Sequence, residues 1–172
     1  MGRKLIEIMD TTLRDGEQTS GVSYTPNEKL TIAKFLIDKL NIDRVEVASA
    51  RVSDGELESV KKIINWAKKN KKINSIEVLT FVDNGLSIDW ICKANCKVQN
   101  LLTKCSLNHL KYQLKKTPKD HFNDISKVLK KASAKKIITN VYLEDWSNGM
   151  KNSREYVFEF LEFLYKQNIK RL

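Results

Sequence analysis

Along the chain, short runs rich in β-branched and apolar residues alternate with longer stretches whose apolar positions recur every three or four residues, the pattern of βα units on a parallel sheet. A first strand is predicted over residues 4–9. After a polar loop, Thr25-Pro26-Asn27-Glu28 carries a helix start: Thr25 can cap, Pro26 suits the first helical position and Glu28 can close a capping box. Leu30, Ala33, Leu36, Ile37 and Leu40 then recur at helical spacing and are predicted to face the sheet. Arg44-Val45-Glu46-Val47 marks a second strand over residues 43–48, and Ser53 with Glu56 predicts another capping box, for a helix to about residue 69. A third strand over 75–82, a short helix over 88–93 and a fourth strand over 97–103 follow. Thr117-Pro118-Lys119-Asp120 repeats the cap-then-proline start for a helix to about residue 132, before a fifth strand over 137–143. Asn152 with Glu155 predicts the cap of a last helix whose Tyr156, Val157, Phe160, Leu161 and Leu164 share a face, and Lys170-Arg171-Leu172 reads as the opening of a sixth strand.

No linker or composition break divides these 172 residues, so 1–172 is expected to form one α/β architecture that stops mid-pattern. Two folds suit the alternation. A (β/α)8 barrel typically needs about 250 residues, of which this chain would supply about the first five βα units. An open doubly wound sheet is the alternative.

Composition narrows the classes. With 41% hydrophobic and 30% charged residues the chain can bury an ordinary core and is neither disordered, collagenous nor membrane-spanning in composition. The opening residues contain neither a secretory apolar region nor a spanning segment, so the cytoplasm is the expected compartment. Cys92, Cys96 and Cys105 are odd in number and form no CxxC pair, which argues against a disulfide framework or a zinc ribbon. The formal charge of +10 invites a nucleic-acid reading. The lysines are dispersed, however, and clusters such as Lys68, Lys69, Lys71 and Lys72, or Lys115 and Lys116, fall at expected helix ends, where cations complement the dipole. A nucleic-acid partner is not expected.

Directly after the first strand stands Asp10-Thr11-Thr12-Leu13-Arg14-Asp15-Gly16-Glu17-Gln18. In a parallel α/β fold, residues at the carboxyl end of a strand face the active site. Asp15 could bind a hard divalent cation, and the fixed fork of Arg14 could hold a carboxylate or a developing oxyanion. A solvated surface pair is an equal reading of Arg14 and Asp15 at this point.

This segment resembles the signature of the DRE-TIM metallolyase superfamily, in particular its 2-isopropylmalate, citramalate and homocitrate synthase branch. The resemblance continues through Val45-Glu46-Val47-Ala48-Ser49 and Asn140-Val141-Tyr142-Leu143-Glu144-Asp145, and so runs through the chain in order. It implies an incomplete (β/α)8 barrel and a Claisen-type condensation of acetyl-CoA with a 2-oxo acid, in branched-chain amino-acid biosynthesis. By the same resemblance, Asp15 matches a metal ligand, for magnesium, manganese or zinc. Arg14 matches the arginine that contacts the 2-oxo acid, Glu46 the glutamate that orients it, and Glu144 a carboxylate near the reacting carbons with a role in proton transfer. Gln18 becomes a candidate cofactor-binding residue, with acetyl-CoA as the co-substrate. Leu79, Leu102 and Tyr142 resemble residues that line the 2-oxo acid's side-chain pocket; their bulk favours pyruvate, hence citramalate, over 2-oxoisovalerate. For Glu144 a structural ion pair, and for the three bulky residues plain barrel core, are the competing readings.

The chain departs from the family pattern in its metal ligands and in its extent, since the sixth to eighth strands and the remaining CoA-binding elements that the resemblance implies are not in this sequence. The family's His-x-His metal pair is absent, and His109 and His121 belong to no such motif. The chain therefore reads as an inactive amino-terminal fragment of a parent that the resemblance makes a homodimer. A lyase of the same superfamily and a noncatalytic partial barrel are the alternatives. The GEQTSGV and NVYLED segments look more like the synthases than the lyases.

Overall fold

The structure, a computed structural model, describes residues 6–172. Strands β1 (Met9–Asp10), β2 (Arg44–Ser49), β3 (Ile76–Phe81), β4 (Val98–Lys104) and β5 (Ile138–Glu144) follow one another in the sheet in chain order. Helices α1 (Pro26–Asp38), α2 (Asp54–Lys69), α3 (Leu86–Lys93) and α4 (Pro118–Ala134) occupy the four crossovers, and α5 (Trp146–Asn152) and α6 (Arg154–Tyr165) follow β5. β1 pairs with β2 and β2 with β3 in parallel, with Met9 opposite Arg44 and Val45 opposite Ile76. A doubly wound sheet reverses its strand order at a switch point, whereas sequential order with a helix in every crossover belongs to a (β/α)8 barrel. The fold is α/β, an incomplete (β/α)8 barrel.

The chain divides into two compact units. The first holds the described residues up to Leu79 together with Trp90–Val98. Its core is Ala33, Leu36 and Ile37 of α1, Val45 and Val47 of β2, and Val60, Ile63, Ile64 and Ala67 of α2, all buried. The second holds Thr80–Asp89 and Gln99–Leu172. There Ile125, Val128 and Leu129 of α4 and Tyr156, Val157, Phe160 and Leu164 of α6 are buried, and Phe122 stacks on Phe163 at 4.7 Å and on Phe160 at 5.4 Å. Gly149 of α5 is the close approach in this unit, since a Cβ there would run into the carbonyl oxygen of Cys105. Cys96 and Cys105 are buried, Cys92 is partly so, and all three are free thiols. Among the described residues no helix is long and apolar enough to cross a membrane.

The local rules hold where their partners are local. α1 and α4 each begin with a complete capping box and a proline, on Thr25 and Glu28 and on Thr117 and Asp120. At Lys170-Arg171-Leu172 the structure has a single isolated bridge in place of a strand: Arg171 bridges Asn140 in parallel, and its carbonyl accepts the Val141 N–H at 2.9 Å.

Four further expectations need correction. In the first predicted strand, residues 4 and 5 lie outside the described residues and the paired segment is only Met9–Asp10; Ile8 precedes it, its carbonyl accepting the N–H groups of Asp43 and Arg44. Leu40 is exposed, because α1 ends at Asp38 and the chain turns through a left-handed Asn41 (φ 53°). Ser53 caps α2 by accepting the Glu56 N–H, but the Glu56 carboxylate is drawn away to Lys29, so the reciprocal half of the box is missing. Asn152 caps nothing: it ends α5, and at the junction with α6 the Ser153 hydroxyl accepts from Leu107 N–H and donates to the Gly149 carbonyl. A π-helical turn at His109–Leu114 was also not predicted.

Candidate active site

The first unit builds the signature loop from its own side chains. The Asp10 carboxylate accepts both the N–H and the hydroxyl of Thr12, at 2.9 and 3.1 Å, turning the chain as it leaves β1. The Thr11 carbonyl then accepts the N–H groups of Arg14, Asp15 and Gly16. This tight turn aims Arg14 at β2. Arg14 Nε donates to Glu46 Oε2 at 2.5 Å and Nη1 to Asp15 Oδ1 at 2.7 Å. Glu46 is fully buried and the Arg14 side chain is 15% exposed, whereas Asp15 is 60% exposed. Arg14 and Glu46 are thus no surface pair: a buried carboxylate helps fix the plane of a guanidinium on a side chain that is only slightly exposed.

Beside this pair lies a cavity of about 370 Å³ lined by Leu13, Arg14, Glu17, Gln18, Ser49 and Ser53, among others. Gln18 ends a short 3-10 turn, Gly16–Gln18, and is exposed at the cavity's edge. Leu79 belongs to the same unit, but it is buried in β3 with its carbonyl accepting the Ala50 N–H, and it is not among the cavity residues.

Leu102, Tyr142 and Glu144 belong to the second unit. Asn140 Nδ2 donates to Asn100 Oδ1 at 2.8 Å, and the Lys104 ammonium pairs with the Glu144 carboxylate. Both contacts join residues forty positions apart, so alternation places Leu102 opposite Tyr142 between them, on one face of β4 and β5. The sequence-predicted residues therefore gather as two groups, Arg14, Asp15 and Glu46 in one unit and Leu102, Tyr142 and Glu144 in the other.

Lys104 was missed by sequence reasoning. Its backbone N–H donates to His121 Nε2 at 3.3 Å and its carbonyl accepts the Tyr156 hydroxyl at 2.9 Å, so α4 and α6 each hold one side of the same residue. Burial first, and then the nearby lysines, push His121 down to about 4, which keeps Nε2 free to accept. Next along the chain, the Asp145 carboxylate accepts from Ser106 Oγ at 2.5 Å and Asn148 Nδ2 at 2.6 Å, and these bonds hold it below the usual carboxylate range. Lys29 is the second residue missed, although a signal existed: it shares the helical spacing of Ala33, Leu36 and Ile37 and so sits on the buried stripe.

The donor set does not fit a complete metal site. Asp15 Oδ1 is bonded to Arg14, His121 is committed to Lys104, His109 Nε2 lies 3.5 Å from Asp145, and among the described residues no group of three or more ligand-type side chains could hold a metal ion. Asp15 can supply one oxygen ligand and no more.

In comparisons with known proteins, residues 5–172 match the family model described as HMGL-like. The (R)-citramalate synthase CimA of Methanocaldococcus jannaschii is 39% identical over 143 residues, covering 82% of this chain and 28% of that protein. The 2-isopropylmalate synthase of Pyrococcus furiosus is 41% identical over 120 residues, covering 70% of this chain and 23% of that protein. The chain thus spans under a third of the length of either relative. Among solved structures, the hydroxymethylglutaryl-CoA lyase of Pseudomonas aeruginosa superposes with a TM-score of 0.73 at 14% identity, over 95% of this chain and 55% of that one, a likeness of fold.

Proposed function

Because this chain belongs to the HMGL-like family, we propose that it forms the amino-terminal part of the catalytic barrel of a synthase that condenses acetyl-CoA with a 2-oxo acid, pyruvate in the first place. The observation that carries this reading is Arg14, in the loop after β1, bonded to the buried Glu46 of β2, with Asp15 beside it. A guanidinium held through Nε and Nη1 keeps further N–H donors that can serve a planar carboxylate or a developing alkoxide.

Here Arg14 binds the 2-oxo acid and stabilises the charge that grows on its carbonyl oxygen, and Glu46 fixes its orientation. Glu144 takes part in the proton transfer that turns the acetyl methyl group into an enolate. The new carbon–carbon bond forms at the 2-oxo carbon, the alkoxide takes up a proton, and water cleaves the thioester to release CoA and a 2-substituted malate. Asp15 is one ligand of the divalent ion that the resemblance implies, which would act as a Lewis acid on the 2-oxo carbonyl when bound; its remaining ligands are not among the described residues. The resemblance gives Leu79, Leu102 and Tyr142 to the substrate's side chain. Large groups there favour a methyl substituent, each excess methylene being worth about 1 to 3 kcal/mol.

The test is release of CoA thiol from acetyl-CoA with pyruvate or with 2-oxoisovalerate. It is made on the chain itself and on the chain grafted in place of the matching segment of the M. jannaschii relative. We expect the graft to release thiol with pyruvate in preference to 2-oxoisovalerate. A folded graft that is inert with every 2-oxo acid, beside an active parent, would overturn the reading.

A further inference from the structure

Lysine is almost never fully buried without a task, since taking an ammonium from water must be offset by several good partners. Lys29, on the inner face of α1, has no exposed surface. Its Nζ lies 2.6 Å from Glu17 Oε2 and 2.6 Å from Glu56 Oε1, and it donates to the carbonyl of Leu13 at 3.2 Å and more weakly to that of Val47 at 3.4 Å. The identity of these carbonyls matters. Leu13 is the residue before Arg14, and Val47 is the residue after Glu46. One ammonium therefore grips the backbone of the signature loop and the backbone of β2 directly beside the two side chains that meet at 2.5 Å. Glu17 extends the grip, because its other oxygen accepts the Tyr24 N–H at 2.9 Å and so closes the loop onto the start of α1.

We propose that Lys29 is a positioning residue for Arg14: it sets the spacing between the signature loop and β2, and through that spacing the orientation of the guanidinium. The proposal rests on the reading of Arg14 as the substrate-binding arginine. A carboxylate pair with a neutralising lysine could be a matter of charge balance alone, and the difference lies in the two carbonyls. Charge balance needs a cation between Glu17 and Glu56. Positioning needs donors that reach Leu13 and Val47.

The two roles separate in the full 172-residue chain without substrate. The probe is the Arg14 Nε–H, observed by nitrogen-15 NMR and assigned by its loss in Arg14→Lys; bonded to a buried carboxylate, it exchanges slowly with water. Two variants are compared, Lys29→Met and the triple variant Lys29→Met, Glu17→Gln, Glu56→Gln, in which no charge is left unbalanced. We expect Lys29→Met to speed exchange at Arg14 Nε by roughly tenfold or more. We expect the triple variant to regain the melting temperature but not the slow exchange, while the Lys104 amide keeps its protection in both. Where Lys29→Met itself fails to fold, the triple variant decides. Slow exchange restored in the triple variant, or unchanged in Lys29→Met, would show that Lys29 only balances charge. Because no turnover is read, failure here leaves the proposed condensation standing.

Discussion

Arg14 makes two bonds at once, Nε to Glu46 and Nη1 to Asp15, and a lysine offers a single point charge that cannot keep both while facing a substrate. Arg14→Lys should therefore lower kcat/KM for the 2-oxo acid in the grafted enzyme by roughly two orders of magnitude, the scale of losing an oxyanion donor. Steady-state thiol release measures it. His121 supports a prediction of another kind. Its folded pKa, about 4, lies below the ordinary 6.5, so the unfolded chain binds the proton more tightly. The stability His121 contributes is complete above 6.5, drains as the pH falls through that value, and is gone below about 4. Across that window the loss is on the order of 3 kcal/mol at most. The urea midpoint should fall further between pH 7 and pH 4 in the native chain than in His121→Phe. An equal fall would place the titration elsewhere, for example on the carboxylates of Asp120 and Asp145.

At the scale of elements, caps were legible because all their parts lie within four residues. Thr117, Pro118 and Asp120 announce α4, and Thr117→Ala should destabilise the protein by about 1 kcal/mol in a denaturant titration. Ser53 and Glu56 have the same spelling, and there the sequence misleads: Lys29, 27 positions away, takes the Glu56 carboxylate. Asn152 fails as a cap for a similar reason, since α5 intervenes after a left-handed Asp145 (φ 65°) and the Ser153 hydroxyl is spent on Leu107 and Gly149. The signature loop was legible in its residues but not in its geometry, because the burial of Glu46 and the turn on Asp10 depend on contacts the spacing does not encode. Lys104 carried no local signal at all: its clamps come from α4 and α6, 17 and 52 positions on. Gly149 shows the same limit from the opposite side. Nothing in its neighbours marks it, yet a methyl group there meets the Cys105 carbonyl, so Gly149→Ala should cost about 2 kcal/mol, the scale of overpacking. Thermal melting checks it.

For the molecule as a whole, the question is how much of a catalytic site these residues can hold. Five βα units supply the arginine, its buried glutamate and one carboxylate oxygen donor, while a hard divalent ion takes six or more ligands and borrows the rest from water only at a loss of affinity. Asp15 is already bonded to Arg14 and faces solvent, so an ion arriving there must displace the guanidinium or share the carboxylate with it. Manganese titrated into the 172-residue chain should therefore give no saturable heat below the millimolar range, and Asp15→Asn should leave that weak signal unchanged. In the grafted protein, where the relative contributes the rest of its chain, the affinity should rise by orders of magnitude and Asp15→Asn should then reduce it. Tight binding by the short chain would mean that side chains not grouped in this structure converge around the ion.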